Sequence, residues 1–431
     1  MANATVAGDM PPLPAYTLQP MPDLLPFISD FWLTLVLPHI FYWIVSFVFH
    51  LIDAYDLFPN YRLHTPEEIT ARNHASRTEV ARDVLVEQVI QIVSSALLTL
   101  TEPVPMVGRT DYDVAVWAQR IRRAQRALPT LLGLLGLNAA ALAKSVAPSH
   151  PLLAGALSGG HYPFLTTTVT TAALDAAAAA SGSGSGPAAA AAAALTHVPA
   201  FAAWELLLAK ALYWVVLPTA QFWFAVGFMD AWQYFWHRLM HVNKWMYVHW
   251  HSRHHRLYVP YAYGALYNHP VEGFVLDTAG AGLAYKVACL SPRMGMFFFV
   301  FSTVKTVDDH CGYALPWDPL QRITSNNAAY HDIHHQSWGI KTNFSQPFFT
   351  FWDRLLGTMW QGDTQLRYAR DRDNAAKKVA GSAANAANAA NTANTANTAS
   401  AGEKAAPVLS TPAGAAAKPA RSPRAAKSRK A

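Results

Sequence analysis

Eleven of the chain's eighteen histidines fall between His237 and His335, eight of them in three tight groups, the third parted from the others by a long apolar stretch. The groups are His237-Arg-Leu-Met-His241, His251-Ser-Arg-His254-His255 and His331-Asp-Ile-His334-His335. Spacings of three and four residues put imidazoles on one face of a helix. Neutral imidazole is the commonest protein ligand for first-row transition metals. Eight such rings are too many for one ion and suit two. For the third group to meet the others, the apolar residues 274–307 must leave and return to the same side of any layer they enter. Convergence therefore demands an even number of crossings there, with all three groups at one end of the fold.

That layer is a bilayer. Only 14 % of the residues are charged, against roughly a quarter in soluble domains. The 52 tryptophans, tyrosines and phenylalanines suit a membrane interface. A formal charge of +6 invites a nucleic-acid reading, but residues 362–431 hold twelve Lys/Arg and four Asp/Glu. The remaining chain is slightly acidic, so the basicity belongs to the tail. Two cysteines, Cys289 and Cys311, make no disulfide framework. No charged segment precedes an apolar run at the N-terminus, so a cleaved signal peptide is not expected.

Residues 28–53 predict a spanning helix, with Pro38 as a possible kink. Residues 83–102 are interrupted by Asp83, Glu87, Gln88 and Gln91, so an interfacial or re-entrant helix competes with a span. Residues 199–236, with Pro218 near the middle, predict a helical hairpin or one long helix leaving the membrane. Residues 274–307 repeat the design, turning at Ser291-Pro292-Arg293. The absence of Lys/Arg before Arg62 puts the N-terminus outside. Arg120, Arg122, Arg123 and Arg126 put the next segment in the cytosol. Both hold only if residues 83–102 do not cross, which is the expectation. Residues 172–197 have a spacer composition, and residues 374–431 are expected to be disordered, a solvated tail with some pull toward anionic lipid.

His237 and His241 close an apolar helix, with Asp230 two turns upstream, where a carboxylate can orient a ligand ring. His251, His254 and His255 repeat the spacing of His331, His334 and His335. His310, after Asp308-Asp309 at the end of the second apolar hairpin, is a further ligand candidate. His269, in Asn268-His269-Pro270, is divided between ligand and structural roles. His249 is read as supporting or packing. His39, His50, His64, His74, His150, His161 and His197 lack comparable grouping and are read as structural or surface. Cysteine-poor, nitrogen-rich sites with open positions favour iron over zinc. Asp230, Glu272, Asp309 and Asp332 are available to offset the ions' charge. A non-catalytic zinc-binding membrane protein is the alternative of a different class.

The three boxes on a polytopic helical chain resemble the fatty acid hydroxylase / sterol desaturase superfamily. The stretch from Asp230-Ala-Trp-Gln-Tyr-Phe-Trp-His237 through Asn268-His-Pro-Val-Glu-Gly-Phe274 is most similar to its sphingolipid C4-hydroxylase branch. So are Leu63-His-Thr-Pro-Glu-Glu68 and Phe351-Trp-Asp-Arg-Leu-Leu-Gly-Thr358. The resemblance implies an all-α, polytopic membrane protein of the endoplasmic reticulum with a cytosolic, histidine-rich helical cap. It divides the chain into an N-terminal anchoring region (1–104), an insertion or linker (105–197), a catalytic domain (198–361) and a disordered basic tail (362–431).

It further implies a non-haem di-iron monooxygenase, two irons and O2, held by His237, His241, His251, His254, His255, His331, His334 and His335. His269 and His310 match further family histidines. No His-Pro-Gly-Gly haem motif is present, so electrons would come from NAD(P)H through a separate cytochrome b5 and its reductase. The implied reaction is C4 hydroxylation of sphinganine or dihydroceramide. Sterol C4-methyl oxidation, C5-desaturation and fatty acid 2-hydroxylation are rivals on the same scaffold. Tyr258, Tyr261, Tyr263 and Tyr267 are candidates for the site mouth or for interfacial packing.

Overall fold

The structure is a computed structural model and describes residues 10–170 and 195–402. Apart from two antiparallel ladders, Gln19–Pro20 with Met106–Val107 and Thr166–Thr170 with Leu195–Pro199, these residues form helices and loops. The expected all-α membrane architecture is what is observed. Among the described residues three helices are long and apolar enough to cross a bilayer: α1 (Asp30–Ala54), α2 (Arg77–Leu100) and α3 (Ala203–Val242). α3 is one 40-residue helix and not a hairpin. A π-helical turn, Leu212–Val216, sits just before Pro218 and accommodates its missing N–H. At 1.5 Å per residue α3 is about 60 Å long, twice the roughly 30 Å of a hydrocarbon core, so part of it stands outside.

α2 is one continuous 24-residue helix, long and apolar enough to cross a bilayer despite the polar residues that interrupt its pattern. Its N-terminal turns are tied to the second histidine box by Arg253–Asp83 and Arg256–Glu79 ion pairs. Its far end meets Lys286 through Glu102. The polar residues that weakened the pattern, Asp83, Glu87 and Gln88, point into the bundle. Leu85, Val89, Val93 and Leu97 are exposed in their place, as a lipid-facing stripe requires.

The apolar residues after the second box form the expected helical hairpin, Pro270 to Val287 and then α4 (Pro292–Asp309). Ser291 caps α4 by accepting the Met294 N–H, and Pro292 takes the first turn. α4 runs parallel to α1, with Arg293 paired to Asp30 at the turn end and Tyr313 donating to Asp53 at the histidine end. Ala225, Val226 and Met229 of α3 pack on Ala284, Phe298 and Phe348. A Cβ on Gly280 would stand 2.6 Å from the Trp232 ring, and such close approach is how helices associate in lipid.

Gln221 of α3 donates to the Cys289 carbonyl at the hairpin turn, so the preceding turns of α3 project from the end opposite the histidines. There the helix Thr110–Gln125 packs on them, with Arg122 and Gln125 both donating to buried Glu205. The helix Thr110–Gln125 is thus packed against the start of α3. Its Arg122 is spent on a buried pair, which weakens the charge rule that put this segment beside the histidines. The Ser/Gly run 181–186 lies outside the described residues.

The first compact unit, Met1–Arg372, contains all of this. The tail, expected to be disordered, is helical from Thr364 to Gly402, consistent with the high helix propensity of alanine. Residues beyond 402 lie outside the described residues.

Candidate metal centre

Each histidine box is fixed by its own local chemistry. α3 ends at Val242, and Asn243 leaves the helix to cap Lys244–His249 by accepting the Trp245 and Met246 N–H groups. His249 stacks on Trp245 and is exposed, so it is a packing residue. The second box follows as a 3-10 turn, His251–Arg256, clamped to α2 by its two arginines. The third lies on α5 (Ala328–His335), capped by Asn327, which accepts the Tyr330 N–H.

Among the described residues these elements bring nine imidazoles into two groups, each with its ligand atoms within 4.8 Å of one another. His237, His241, His251, His255 and His334 form the first, and His254, His310, His331 and His335 the second. Boxes two and three are shared in opposite senses: each gives its i and i+4 rings to one group and its i+3 ring to the other. In the first group Nε2 atoms lie 3.1 Å apart for His237–His251, 3.2 Å for His241–His255 and 2.9 Å for His251–His255. In the second the separations are 3.1 Å for both His310–His331 and His331–His335. Nitrogens about 2.0–2.1 Å from an ion sit roughly 3 Å from their neighbours, so the residues fit two metal ions.

The opposite ring nitrogens support that fit. Nδ1–H of His237, His334 and His254 donates to the carbonyls of Phe344 (2.9 Å), Thr342 (2.7 Å) and Tyr267 (3.1 Å). His335 and His310 donate likewise to Leu257 and Thr306, and His251 Nδ1 meets Glu272 Oε1. A ring whose Nδ1 holds the proton offers Nε2 as a lone pair. Buried Nε2 of His334 has no protein partner, as an atom meant for an ion would not. Burial pushes the His251 and His254 pKa values down, to about 3 and about 4, so both rings are neutral and able to ligate at physiological pH.

His310 therefore joins the second group, as its position at the end of α4 suggested. His269 joins neither group: its Nδ1 accepts the Val271 N–H and starts the next helix. Asp230 does not orient a ligand ring either. Its carboxylate accepts the Phe348 and Phe349 N–H groups, because the loop after the third box, unforeseeable from helix spacing, occupies that face. Glu272 does contact a candidate ligand, His251. Asp309 is paired with buried Lys305.

Asp332 turns away to His64, Tyr368 and Gln336. His64 is accordingly buried and not a surface residue. Burial alone would lower its pKa, but Asp332 and Glu68 raise it to about 9, a cation beneath the third box. The other six ungrouped histidines join neither set. Tyr267 is buried and donates to Glu79, Tyr258 faces His74, and Tyr261 and Tyr263 line a cavity of about 500 Å³ that no grouped histidine borders.

A second cleft shares lining residues with the space beside the histidines. A cleft of about 440 Å³ between α1, α2, α3 and α4 is walled by Leu35, Leu98, Met229, Leu266 and Phe299. Its inner residues Gln233, Asp277 and Thr306 also border a small cavity lined by His251, His254, His310 and His331. The apolar cleft and the histidine-lined cavity thus share a polar wall of Gln233, Asp277 and Thr306. Sequence reasoning missed Gln233, although it lies one helical turn before His237 and so shares its face.

The fatty acid hydroxylase family matches residues 222–358, the segment that holds all nine grouped histidines. The sphingolipid C4-hydroxylase of Saccharomyces cerevisiae is 38 % identical over 376 residues, 84 % of this chain and 85 % of that protein. A sphinganine C4-monooxygenase of Arabidopsis thaliana is 62 % identical over 138 residues, 32 % of this chain and 53 % of that protein. A very-long-chain aldehyde decarbonylase of Oryza sativa is 56 % identical over 144 residues, 33 % and 56 % of the two chains. No solved structure matches the chain.

Proposed function

The chain belongs to the fatty acid hydroxylase family, in its sphingolipid C4-hydroxylase branch, and from that premise we propose that it hydroxylates a sphingoid base at C4. It is an oxidoreductase of the membrane-bound hydroxylase type. The observation that carries the finer reading is nine imidazoles, sorted into two sets, with a small cavity beside them that shares its polar wall with an apolar cleft. The segment shared with the aldehyde decarbonylase covers only a third of this chain. Likeness to the C4-hydroxylase extends over 84 % of it, which favours sphingolipid chemistry over rivals on the same scaffold.

His237, His241, His251, His255 and His334 would hold one iron, and His254, His310, His331 and His335 the other. Bound iron would supply dioxygen activation, with two electrons from NAD(P)H through cytochrome b5 and its reductase, one oxygen atom entering the C–H bond and the other leaving as water. The protein's share is positioning. The cleft takes up the alkyl chain, whose reacting carbon offers no polar handle, and holds it against the histidine groups with water excluded. The proposed setting is the endoplasmic reticulum membrane with the histidine end facing the cytosol, where those electron carriers act.

The test is the intact mass of long-chain bases from cells that lack this activity and express the chain. Trihydroxy bases should appear, with their new oxygen drawn from isotopically labelled dioxygen. Oxidised sterols or 2-hydroxy acids without trihydroxy bases would overturn the assignment, and one zinc per chain in place of two irons would remove the oxygenase reading.

Glu272 gives a narrower expectation. Glu272→Gln keeps the side chain's shape but withdraws the carboxylate from His251, and such partners govern metal affinity by about 10–100-fold. Iron retained per chain during dialysis should fall accordingly, and unchanged retention would show that His251 needs no orienting partner.

A further inference from the structure

Two carboxylates, Glu272 and Asp277, line the small cavity beside the histidines, and a third, Glu87, is buried against the neighbouring Gly273. Asp277 borders both the cleft and the small inner cavity, and accepts Gln233 Nε2 at 2.8 Å and Asn268 Nδ2 at 3.3 Å. Glu272 is 1 % exposed, lines the inner cavity and leaves its Oε2 without a partner. Glu87 of α2 is equally buried against Gly273, and its Oε2 is also unpartnered.

Among the described residues none of the three has a lysine or arginine within ion-pair distance. Three other buried carboxylates do: Asp83 has Arg253, and Asp308 and Asp309 have Lys305. A carboxylate so deep in the bundle is disfavoured without a cation, and apart from the ions that the histidine groups would hold, no lysine or arginine supplies one at this end of the cleft.

Substrate geometry supplies it. In a free long-chain base C4 adjoins the hydroxyl-bearing C3 and lies two carbons from the amine. If C4 reaches the histidine groups, the amine comes to rest within a few Å of them. Resting on the C4-hydroxylase reading, we propose that Asp277, held by Gln233 and Asn268 and backed by Glu87, receives the protonated amine of a free sphingoid base. The alkyl chain then lies back along the cleft toward lipid. An N-acylated base has no charge to offer there, so the carboxylates select the free base over the ceramide form.

The experiment compares the intact iron-loaded enzyme with its Asp277→Asn and Glu87→Gln variants, on sphinganine and on neutral N-acetylsphinganine, with iron per chain measured for each. Asp277→Asn should raise KM for sphinganine by about tenfold or more, the worth of one charge-assisted contact. Its kcat, its KM for the N-acetyl substrate and its iron content should stay within about threefold. Glu87→Gln should move the same way by less. Equal losses on both substrates, or lost iron with an unchanged KM, would assign the carboxylates to balancing the metals' charge and overturn the proposal.

Direct binding keeps the two readings separable. Quenching of tryptophan fluorescence by octadecylamine, but not by octadecanol, should weaken in Asp277→Asn. If wild type turns over neither substrate, the C4-hydroxylase reading fails, while amine binding lost in the variant still upholds the carboxylate's role. Amine binding retained in the variant overturns that role.

Discussion

His254→Ala is expected to abolish hydroxylation, a loss of at least about a hundredfold, while the protein still inserts in membranes and folds. The structure separates these outcomes. His254 contributes one Nε2 to the four-histidine group and its Nδ1–H to the Tyr267 carbonyl. Its loss leaves three ring nitrogens for the second ion and one carbonyl without its donor, the latter costing about 1–3 kcal/mol. The turn that carries it remains clamped to α2 through Arg253 and Arg256. Iron analysis should find the second ion depleted.

His269→Ala is the matched control, because that ring lies outside both groups and only caps a short helix. It should cost about 1 kcal/mol of stability and leave activity within about threefold. Full activity and full iron in His254→Ala would strike this histidine from the ligand set.

The contrast between those two histidines marks how far sequence reasoning reached. The boxes were legible because helical spacing fixes which rings share a face, and because the apolar hairpin between them had to return its end to the start. His310 was legible for the same reason: it stands where that hairpin emerges. How boxes two and three divide their rings between the groups was not legible, since it depends on how His251–Arg256 and α5 face each other across the site. His269 and Asp230 misled for a related reason. A local pattern shows what a side chain could do, but the segment that arrives opposite decides, and here Val271 and the Phe348–Phe349 backbone took them.

α2 shows the same limit in the membrane. Asp83, Glu87 and Gln88 read as defects in a span because sequence hydropathy assumes lipid on every side. In a bundle they are the inward face, and two of them end beside the site. The packing of residues 110–125 on α3 was not legible because its Arg122–Glu205 pair joins residues 83 positions apart.

Asp353→Leu should be the most damaging substitution outside the histidines. Asp353 is fully buried, and it accepts the Phe344 and Ser345 N–H groups at 3.1 and 2.6 Å and the Tyr330 hydroxyl at 2.7 Å. It also receives the Thr358 hydroxyl. Through these contacts one carboxylate ties α5 to the loop whose Phe344 carbonyl orients His237 and whose Thr342 carbonyl orients His334. Leucine fills the volume but leaves two buried backbone N–H groups without an acceptor and takes the carboxylate from the half-buried Tyr330 and Thr358 hydroxyls.

Several unsatisfied donors at about 1–3 kcal/mol each come to roughly 4 kcal/mol or more, a large part of the 5–15 kcal/mol typical of a folded protein. The variant should unfold at lower temperature in detergent and lose iron from the five-histidine group first. Asp353→Asn should fall between the two, since its amide keeps one acceptor oxygen but turns an NH2 toward a donor. The order of loss is the informative part, because a merely unstable protein would release both irons together. A stable Asp353→Leu enzyme that keeps both irons would mean the loop holds His237 and His334 without this carboxylate.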